Sequence, residues 1–360
     1  MSLLGVALIS CASLAAGYLL YGRFLARRFE LSPTRSTPAC SMSDGVDYVP
    51  AKAPFLLGQH FSAIAAAGPI VGPILAGLWF GWLPALIWIV AGSIFIGGVH
   101  DMTALTASIR HRARSIAEVI REHMSRRSFV LFLVFVWLAL DYIIIAFTDI
   151  TAASFVGAIP LENGQTISGG GIATSSLLYL LLPVVMGLLI RFAKIPIGVA
   201  TLIFLPLLGV AIWAGQHIPL QLDAVLGMTQ PQAHRTWNVL ILAYCFIASL
   251  LPVWALLQPR GHLGGYFLAL TLVGGAVGLI LSGDRAQYPA FRGWVIADPA
   301  QPDKSQPLFP MLFITIACGA CSGFHAIIAS GTTSKQLRRE TDAKVVGYGA
   351  MLLEGMVAVV

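Results

Sequence analysis

Seven ionisable side chains interrupt long apolar stretches of this sequence, and they are the residues most able to do chemistry. They are His60, His100, Asp101, Asp141, Asp149, His325 and Glu354. A charged side chain at the centre of a membrane costs at least about 2.5–3.5 kcal/mol, so such residues usually bind or exchange ions. Histidine can also change its charge near neutral pH. We therefore predict proton-coupling candidates, first His60 and His325, and second Asp101, Asp141 and Glu354.

Purely structural roles compete with this interpretation. His100 and Asp101 are neighbours on a predicted helix, so we expect each to face a different partner. Both could instead reach the membrane interface as a solvated pair. Asp141 lies in mid-helix, where a side chain does not reach water. A further alternative is a bis-histidine haem held by His60, His100 and His325, which lie at similar predicted depths.

The strongest local signal is two Gly-Pro pairs, Gly68-Pro69 and Gly72-Pro73, in the middle of an apolar run. Proline donates no backbone hydrogen bond, so the carbonyls of Ala65 and Pro69 lose their helical partners. Transporters use such breaks to present half-helix N-termini to anionic groups. The alternative is a packing kink in which the two glycines contact a neighbouring helix. The predicted substrate-binding residues here are Gln59, His60, Ala65, Gly68, Pro69 and Gly72.

A second stretch near the end of the chain echoes this pattern. Residues 324–331 (Phe-His-Ala-Ile-Ile-Ala-Ser-Gly) resemble residues 60–68 (His-Phe-Ser-Ala-Ile-Ala-Ala-Ala-Gly). Paired interrupted helices are typical of transporters built from inverted repeats. We therefore add Ser330, Gly331 and Thr332 to the predicted substrate-binding residues.

The elements that must hold these residues are membrane helices. Hydrophobic residues make up 57% of the 360 residues and charged residues only 11%, whereas soluble domains carry roughly 25% charged residues. This composition excludes a soluble enzyme, a disordered chain and a disulfide scaffold. Ten apolar runs can cross a hydrocarbon core about 30 Å thick, namely 3–21, 55–78, 82–109, 128–155, 175–190, 196–214, 237–257, 262–282, 308–330 and 346–360. We predict an all-α polytopic membrane protein with discontinuous helices in an inverted-repeat transporter fold, a single domain over 1–360.

The basic residues indicate how the chain is oriented. On the ten-run topology, 18 of the 22 Lys and Arg residues fall in loops on one side, and this asymmetry marks the cytoplasmic face. The loops 22–54 and 110–127 are therefore predicted to be cytoplasmic, with the N-terminus outside. Because the net charge of +6 is divided among short clusters, we expect the lipid bilayer as partner and no nucleic acid. Residues 115–124 are amphipathic and predict a short helix on the inner surface.

The last apolar run and the cysteines support two further predictions. The final run, from 346 to 360, is shorter than the roughly 20 residues of a full span. We therefore predict a truncated C-terminus, and as partners either a missing C-terminal half or further copies of the chain in a homo-oligomer. The Cys318-x-x-Cys321 spacing has no second pair and predicts packing rather than zinc binding. We predict no metal site and no cofactor beyond a coupling ion, for which we expect a proton.

Several motifs occur in a fixed order between residues 44 and 354. They are Asp44-Gly45-Val46-Asp47-Tyr48, Gln59-His60-Phe61, Ala67-Gly68-Pro69-Ile70-Val71-Gly72-Pro73, Gly98-Val99-His100-Asp101, the stretch 313–333, and Gly347-Tyr348-Gly349-Ala350-Met351-Leu352-Leu353-Glu354. Together they resemble the carbon starvation protein A (CstA) family. The resemblance implies an inner-membrane carrier of peptides, or of pyruvate with protons, induced when carbon is scarce. It also implies the discontinuous-helix fold of the amino acid–polyamine–organocation superfamily. Family members continue well past the glutamate that matches Glu354.

The residues and the resemblance together predict one function. It is proton-coupled secondary active uptake of small carboxylates such as pyruvate, or of short peptides, across the inner membrane during carbon starvation. We expect no enzymatic activity. The alternatives are a membrane-embedded starvation sensor and an intramembrane haem-binding or enzymatic protein, both without transport.

Overall fold

Helices dominate the fold. A computed structural model describes residues 2–160, 166–252, 254–298 and 301–360 of the chain. Besides helices, these residues form two antiparallel hairpins of two short strands each. The predicted all-helical membrane class is therefore confirmed in its main feature, and the hairpins are small additions that the sequence patterns did not indicate.

Helices of 4 to 14 residues follow one another from residue 3 to residue 123. They are α1 (Leu3–Ala16), α2 (Gly22–Arg28), α3 (Pro38–Ser41), α4 (Ala53–Ile64), α5 (Gly68–Phe80), α6 (Trp82–Gly92), α7 (Gly98–Arg110) and α8 (Ile116–His123). A π-helical turn at Gly17–Tyr21 joins α1 to α2, and another at Ser93–Gly97 joins α6 to α7. Helix α8 confirms the predicted amphipathic helix: Val119 is buried on its inner face and Ile116 packs against a core cluster.

The remaining described elements are helices of 5 to 31 residues and four short strands. They are α9 (Arg126–Val156), β1 (Ala158–Pro160), β2 (Thr166–Ser168), α10 (Gly169–Phe192), α11 (Ile197–His217), α12 (Leu222–Leu226), α13 (Gln230–Ser249), α14 (Leu257–Ser282), β3 (Val295–Asp298), β4 (Gln301–Pro307), α15 (Leu308–Thr315), α16 (Ala317–Cys321), α17 (Phe324–Ile328) and α18 (Ala350–Val359). Two further π-helical turns, Ala329–Thr333 and Lys344–Gly349, follow α17 and precede α18.

Six helices in the described residues are long and apolar enough to cross a membrane. They span Leu3–Arg28, Trp82–Arg110, Arg126–Val156, Gly169–Phe192, Ile197–His217 and Leu257–Ser282. The bent pair α4 and α5 adds a seventh if it is counted as one span. The chain is therefore a multi-pass membrane protein.

The difference from the ten predicted runs has local causes. Helix α13 opens with polar residues, and the predicted run 237–257 includes Val253, which lies outside the described residues. The run 308–330 is divided among three short helices, and α18 has only 10 residues. Apolar composition alone does not register such interruptions.

The described helices divide into two compact units. The first comprises Met1–His123 and Gly264–Val360, and the second comprises Met124–Leu263. In the first unit, buried Leu56, Leu105, Leu337 and Val346 join α4, α7 and the segment that leads to α18. In the second unit, α9, α10 and α13 meet around buried Phe155 and Trp237. The prediction of a single domain stays a prediction.

Glu340 links its own loop to the loop that contains Ser32 and Arg35 and to the C-terminal end of α7. Its carboxylate accepts hydrogen bonds from Arg35 Nη1 at 2.7 Å, Arg110 Nε at 2.8 Å and the Ser32 backbone N–H at 2.9 Å. Burial by itself raises the pKa of Glu340, but the Ser32 N–H and the two guanidinium groups outweigh it. The pKa of Glu340 therefore lies below its usual value.

Candidate functional site

The predicted interruption is present between α4 and α5, but it lies upstream of the first Gly-Pro pair. Helix α4 ends at Ile64, and an inverse γ-turn follows at Ala65 (φ −74°, ψ 64°), closed by a 2.7 Å hydrogen bond from Ala66 N to the Ile64 carbonyl. The axes of the two helices differ by 50°. Pro69 lies in the first turn of α5, where a helix needs no N–H donor, and of the two prolines only Pro73 lies inside the helix.

Gly68 and Gly72 lie where a neighbouring segment approaches the α5 backbone. A Cβ atom at Gly68 would overlap with the side chain of Cys318, and one at Gly72 would overlap with the carbonyl oxygen of Thr315. These contacts agree with the packing alternative, in which small residues let membrane helices approach closely. That the same glycines contact substrate stays a prediction.

Three predicted residues from distant parts of the sequence meet in the first unit. Asp101 on α7, His325 on α17 and Glu354 on α18 all have side chains with 0% exposure. His325 Nδ1 lies 2.8 Å from Asp101 Oδ2, and His325 Nε2 lies 3.2 Å from Glu354 Oε2. The second pair has the separation of an ion pair without the alignment of a hydrogen bond. We call these three residues the acid–histidine–acid cluster.

The acid–histidine–acid cluster can hold or release one proton with a change of net charge. With both carboxylates ionised and the imidazole protonated, it carries one net negative charge. One further proton makes it neutral. Because uncompensated charge is costly in a dry interior, the surroundings of the cluster decide which of the two states is preferred. The arrangement is therefore suited to binding and releasing protons.

His100 also contacts Asp101, so the expectation that these neighbours face different partners was wrong. His100 Nδ1 lies 3.0 Å from Asp101 Oδ1, while the other carboxylate oxygen faces His325. The imidazole is long enough to reach back across the angle of about 100° between adjacent helical residues. Full burial also excludes Asp101 from a solvated interfacial pair, whereas the His100 side chain is 37% exposed.

His60 and Gln59 extend the buried polar interior towards the break. His60 Nδ1 lies 2.8 Å from Thr333 Oγ1, and His60 is within electrostatic range of Asp101 and His325. In the described part of the chain, His60 Nε2 and Gln59 Oε1 are buried and have no hydrogen-bond partner. Unpaired buried polar atoms are costly, and in native proteins they often mark sites for water, ions or ligands.

Three of the four π-helical turns in the described residues flank the acid–histidine–acid cluster. Ser93–Gly97 ends one turn before Asp101, and Ala329–Thr333 begins one turn after His325. Lys344–Gly349 ends slightly more than one turn before Glu354. Single π-turns inside helices occur frequently at functional sites, which agrees with a functional role for all three side chains.

A polar cavity of about 400 Å³ lies beside the predicted residues Ser330 and Gly331. Its lining includes Arg112, Arg114 and Lys335. Against these three cations the lining contains one carboxylate, Glu118, so the net positive charge favours an anionic occupant. These three cations are not among the predicted site residues, because Lys and Arg in the loops of a membrane protein are also topology signals. Arg112 and Arg114 precede the Ser330-Gly331 segment by more than 200 residues in the sequence. They come close to it only because residues 112–115 fold against that segment.

Asp141 is the one predicted proton-coupling residue besides His60 that is outside the acid–histidine–acid cluster. Of the residues 330–332 that were predicted to contact substrate, Thr332 is the one that is not in the lining of the cavity. Asp141 lies half-buried on α9 in the second unit. Thr332 Oγ1 donates to the Ile328 carbonyl of its own segment at 3.0 Å. A bis-histidine haem is also not favoured, because both ring nitrogens of His325 face carboxylates and His60 Nδ1 faces Thr333.

Comparison with known proteins identifies the family. A family model described as carbon starvation protein CstA matches residues 2–360. This chain belongs to the carbon starvation protein CstA family. The resemblance seen in the sequence motifs is thereby confirmed. No solved structure matches the chain.

Curated relatives in the CstA family are named as transporters. The peptide transporter CstA of Helicobacter pylori strain J99 is 38% identical over 345 residues, which cover 95% of this chain and 48% of the relative. The pyruvate/proton symporter BtsT of Escherichia coli K12 is 36% identical over 360 residues, or 99% of this chain and 48% of the relative. The peptide transporter CstA of Bacillus subtilis 168 is 33% identical, with 57% of its length covered. The chain spans about half the length of the curated relatives it matches.

Proposed function

We propose that this chain carries the proton-coupling site of a secondary active importer of small carboxylates such as pyruvate, or of short peptides. The observation that carries the proposal is the burial of His325 between Asp101 and Glu354, with all three side chains fully shielded from solvent. The relatives' names agree with it, since one is a pyruvate/proton symporter and others are peptide transporters. Those names also favour a non-enzymatic role.

In the proposed cycle, the acid–histidine–acid cluster takes up a proton from the outer side and becomes neutral. The neutral cluster tolerates the occluded state in which water is excluded, because no net charge is then buried. Opening to the cytoplasm restores hydration, and the proton leaves. His60 is the second proton candidate, because its Nε2 is buried and unpaired in the described part of the chain.

The substrate carboxylate is proposed to bind on its way through the cavity beside Ser330 and Gly331. Arg112 supplies positive charge for a pyruvate anion or a peptide C-terminus, together with Arg114 and Lys335, which also pair with Glu122 and Asp47. The break at residues 65–67 is the proposed flexible element, because the helical pattern of backbone hydrogen bonds is interrupted there. Of the remaining predicted contacts, Ala65 lies in that break, and Gln59 and Pro69 lie on either side of it.

The proposed membrane arrangement follows the sequence analysis. The protein would lie in the inner membrane with the N-terminus outside and loops 22–54 and 110–127 in the cytoplasm. A ten-crossing inverted repeat is supported by the two interrupted segments, 53–80 and 308–333. These contact one another through His60 and Thr333. Among the described residues, no contact specifically supports a starvation sensor or a haem protein.

Uptake into proteoliposomes tests this function directly. We expect labelled pyruvate or a labelled dipeptide to accumulate when an inward pH gradient is imposed, and not with a sodium gradient alone. Arg112→Gln and Lys335→Gln should each raise the KM by about tenfold, because each removes one cation near the carboxylate. Lys194→Gln is the matched control, since Lys194 is an exposed cation of the second unit. Equal effects of all three substitutions would contradict the placement of the substrate.

A further inference from the structure

Three potential metal ligands meet at the surface of the first unit, away from the acid–histidine–acid cluster. His111 caps the C-terminus of α7, and Glu122 and His123 are the last residues of α8. His111 Nε2 lies 3.0 Å from His123 Nε2 and 3.9 Å from Glu122 Oε2. One ligating atom from each residue lies within 4.8 Å of the others. Donor atoms of a tetrahedral zinc site are separated by about 3.3 Å.

The hydrogen bond between His111 Nδ1 and the backbone leaves Nε2 as the nitrogen that can bind a metal ion. His111 Nδ1 lies 2.7 Å from the Ala107 carbonyl, which can only accept, so Nδ1 carries the proton. His111 Nε2 therefore presents a lone pair towards His123. A backbone carbonyl that holds the distal nitrogen in this way is the usual outer partner of a metal-bound histidine.

The carboxylate of Glu122 is oriented in the same manner. Its Oε1 pairs with the guanidinium group of Arg114, which leaves Oε2 on the side of His111. Ligating carboxylates are commonly held by such a second hydrogen bond. A single shared proton would satisfy only the two nitrogens, whereas a metal ion would bind both nitrogens and also Oε2 of Glu122, which lies on the side of His111.

The backbone takes an unusual path to bring the two helix ends together. Arg112 and Ala113 both have positive φ angles, 62° and 54°, between α7 and α8. Non-glycine residues rarely adopt this conformation. The Ala113 N–H donates to the Ser108 carbonyl at 2.8 Å and fixes the reversal. The turn folds α8 back so that His123 reaches His111.

We infer that His111, Glu122 and His123 bind a divalent transition-metal ion of the zinc class. Two imidazoles and one carboxylate are a ligand set that suits zinc, with a fourth position open to water. The bound ion would fasten the end of α8 to the end of α7. The Ile116 N–H at the start of α8 donates to Ser330 Oγ at 3.0 Å. The metal would therefore also fix one wall of the cavity beside Ser330.

Zinc titration of the purified chain, with its thiols blocked, tests the site. We expect one Zn²⁺ per chain in isothermal titration calorimetry and a rise in melting temperature on addition of Zn²⁺. His111→Gln and His123→Gln should each weaken Zn²⁺ binding by more than about 100-fold, which exceeds the usual effect of losing an outer-shell partner. The rise in melting temperature should disappear with them.

His217→Gln is the matched control. His217 is an exposed histidine near a helix C-terminus, and its Nδ1 lies 2.8 Å from the carbonyl four residues earlier, as in His111. His217 is not a member of the His111–Glu122–His123 group. The His217→Gln variant should therefore bind Zn²⁺ as tightly as the unsubstituted chain. If a histidine variant fails to fold, Glu122→Gln at an exposed position provides the same test. Absence of Zn²⁺ binding in the unsubstituted chain, or equal binding in all variants, would overturn the proposal.

Discussion

The imidazole of His325 lies 2.8 Å from the carboxylate of Asp101, although 224 residues separate them in the sequence. Both side chains are completely shielded, and Glu354 faces the other nitrogen of the same ring. A cationic imidazole between two carboxylates compensates part of the charge that each would bury alone. This contact therefore couples the protonation of three residues from three different helices.

The hydrogen bond between Thr333 and His60 should be important for both folding and transport. Thr333→Val keeps the shape of the side chain but leaves His60 Nδ1 without a partner in a buried position. We expect a loss of about 1–3 kcal/mol of stability and a clear fall in uptake. Thr332→Val is the control for stability, because the Thr332 hydroxyl donates to the Ile328 carbonyl of its own segment. Similar melting temperatures for the two variants would remove this role for Thr333.

Local sequence signals were sufficient to select the members of the acid–histidine–acid cluster. Asp101, His325 and Glu354 stand out because ionisable groups are rare in apolar runs. The contacts among these three residues could not be predicted from the sequence, because they depend on how α7, α17 and α18 pack. The same applies to Thr333, whose hydroxyl has no distinguishing feature until it lies beside His60.

The position of the break between α4 and α5 was predicted less accurately than its existence. Two Gly-Pro pairs indicated an interruption correctly, but proline is also favoured at the first turn of a helix. The structure uses Pro69 in that second way, and the chain turns earlier, at Ala65, where alanine carries no turn signal. Likewise, Arg112 and Lys335 are equally suited to marking topology and to lining a cavity.

The close approach at Gly72 predicts a strong position dependence along α5. Gly72→Ala should lower stability by about 1–3 kcal/mol, because the new methyl group meets the Thr315 backbone carbonyl, which has little freedom to move. Gly77→Ala on the same helix has open space and should be neutral or stabilising by up to about 1 kcal/mol. Melting temperatures in detergent distinguish the two. A harmless Gly72→Ala would show that this contact is loose.

Glu340 should make the stability of the first unit sensitive to acid. Its pKa is lowered in the folded chain, so its contribution is present above its unfolded pKa of about 4.3. The contribution is lost as the pH falls through the folded pKa. Glu340→Gln should therefore lower the melting temperature at pH 7 and flatten its decline in acid.

Asp47→Asn provides the comparison for Glu340. Asp47 pairs with Lys335 at 3.7 Å on a more exposed surface, and such pairs contribute at most about 1 kcal/mol. Its melting curve should follow that of the unsubstituted chain at every pH. A steep acid decline that persists in Glu340→Gln would assign the sensitivity to another group.

The most direct test of the central claim separates exchange from accumulation in proteoliposomes that contain His325→Gln or Glu354→Gln. Glutamine keeps hydrogen-bonding capacity but cannot change its charge. The account predicts that substrate exchange continues in both variants, while accumulation driven by a pH gradient falls to the level seen without a gradient. Asp149→Asn, which removes an exposed carboxylate, should retain both. Full gradient-driven accumulation in the two cluster variants would contradict the account and move the coupling role to His60 or Asp141.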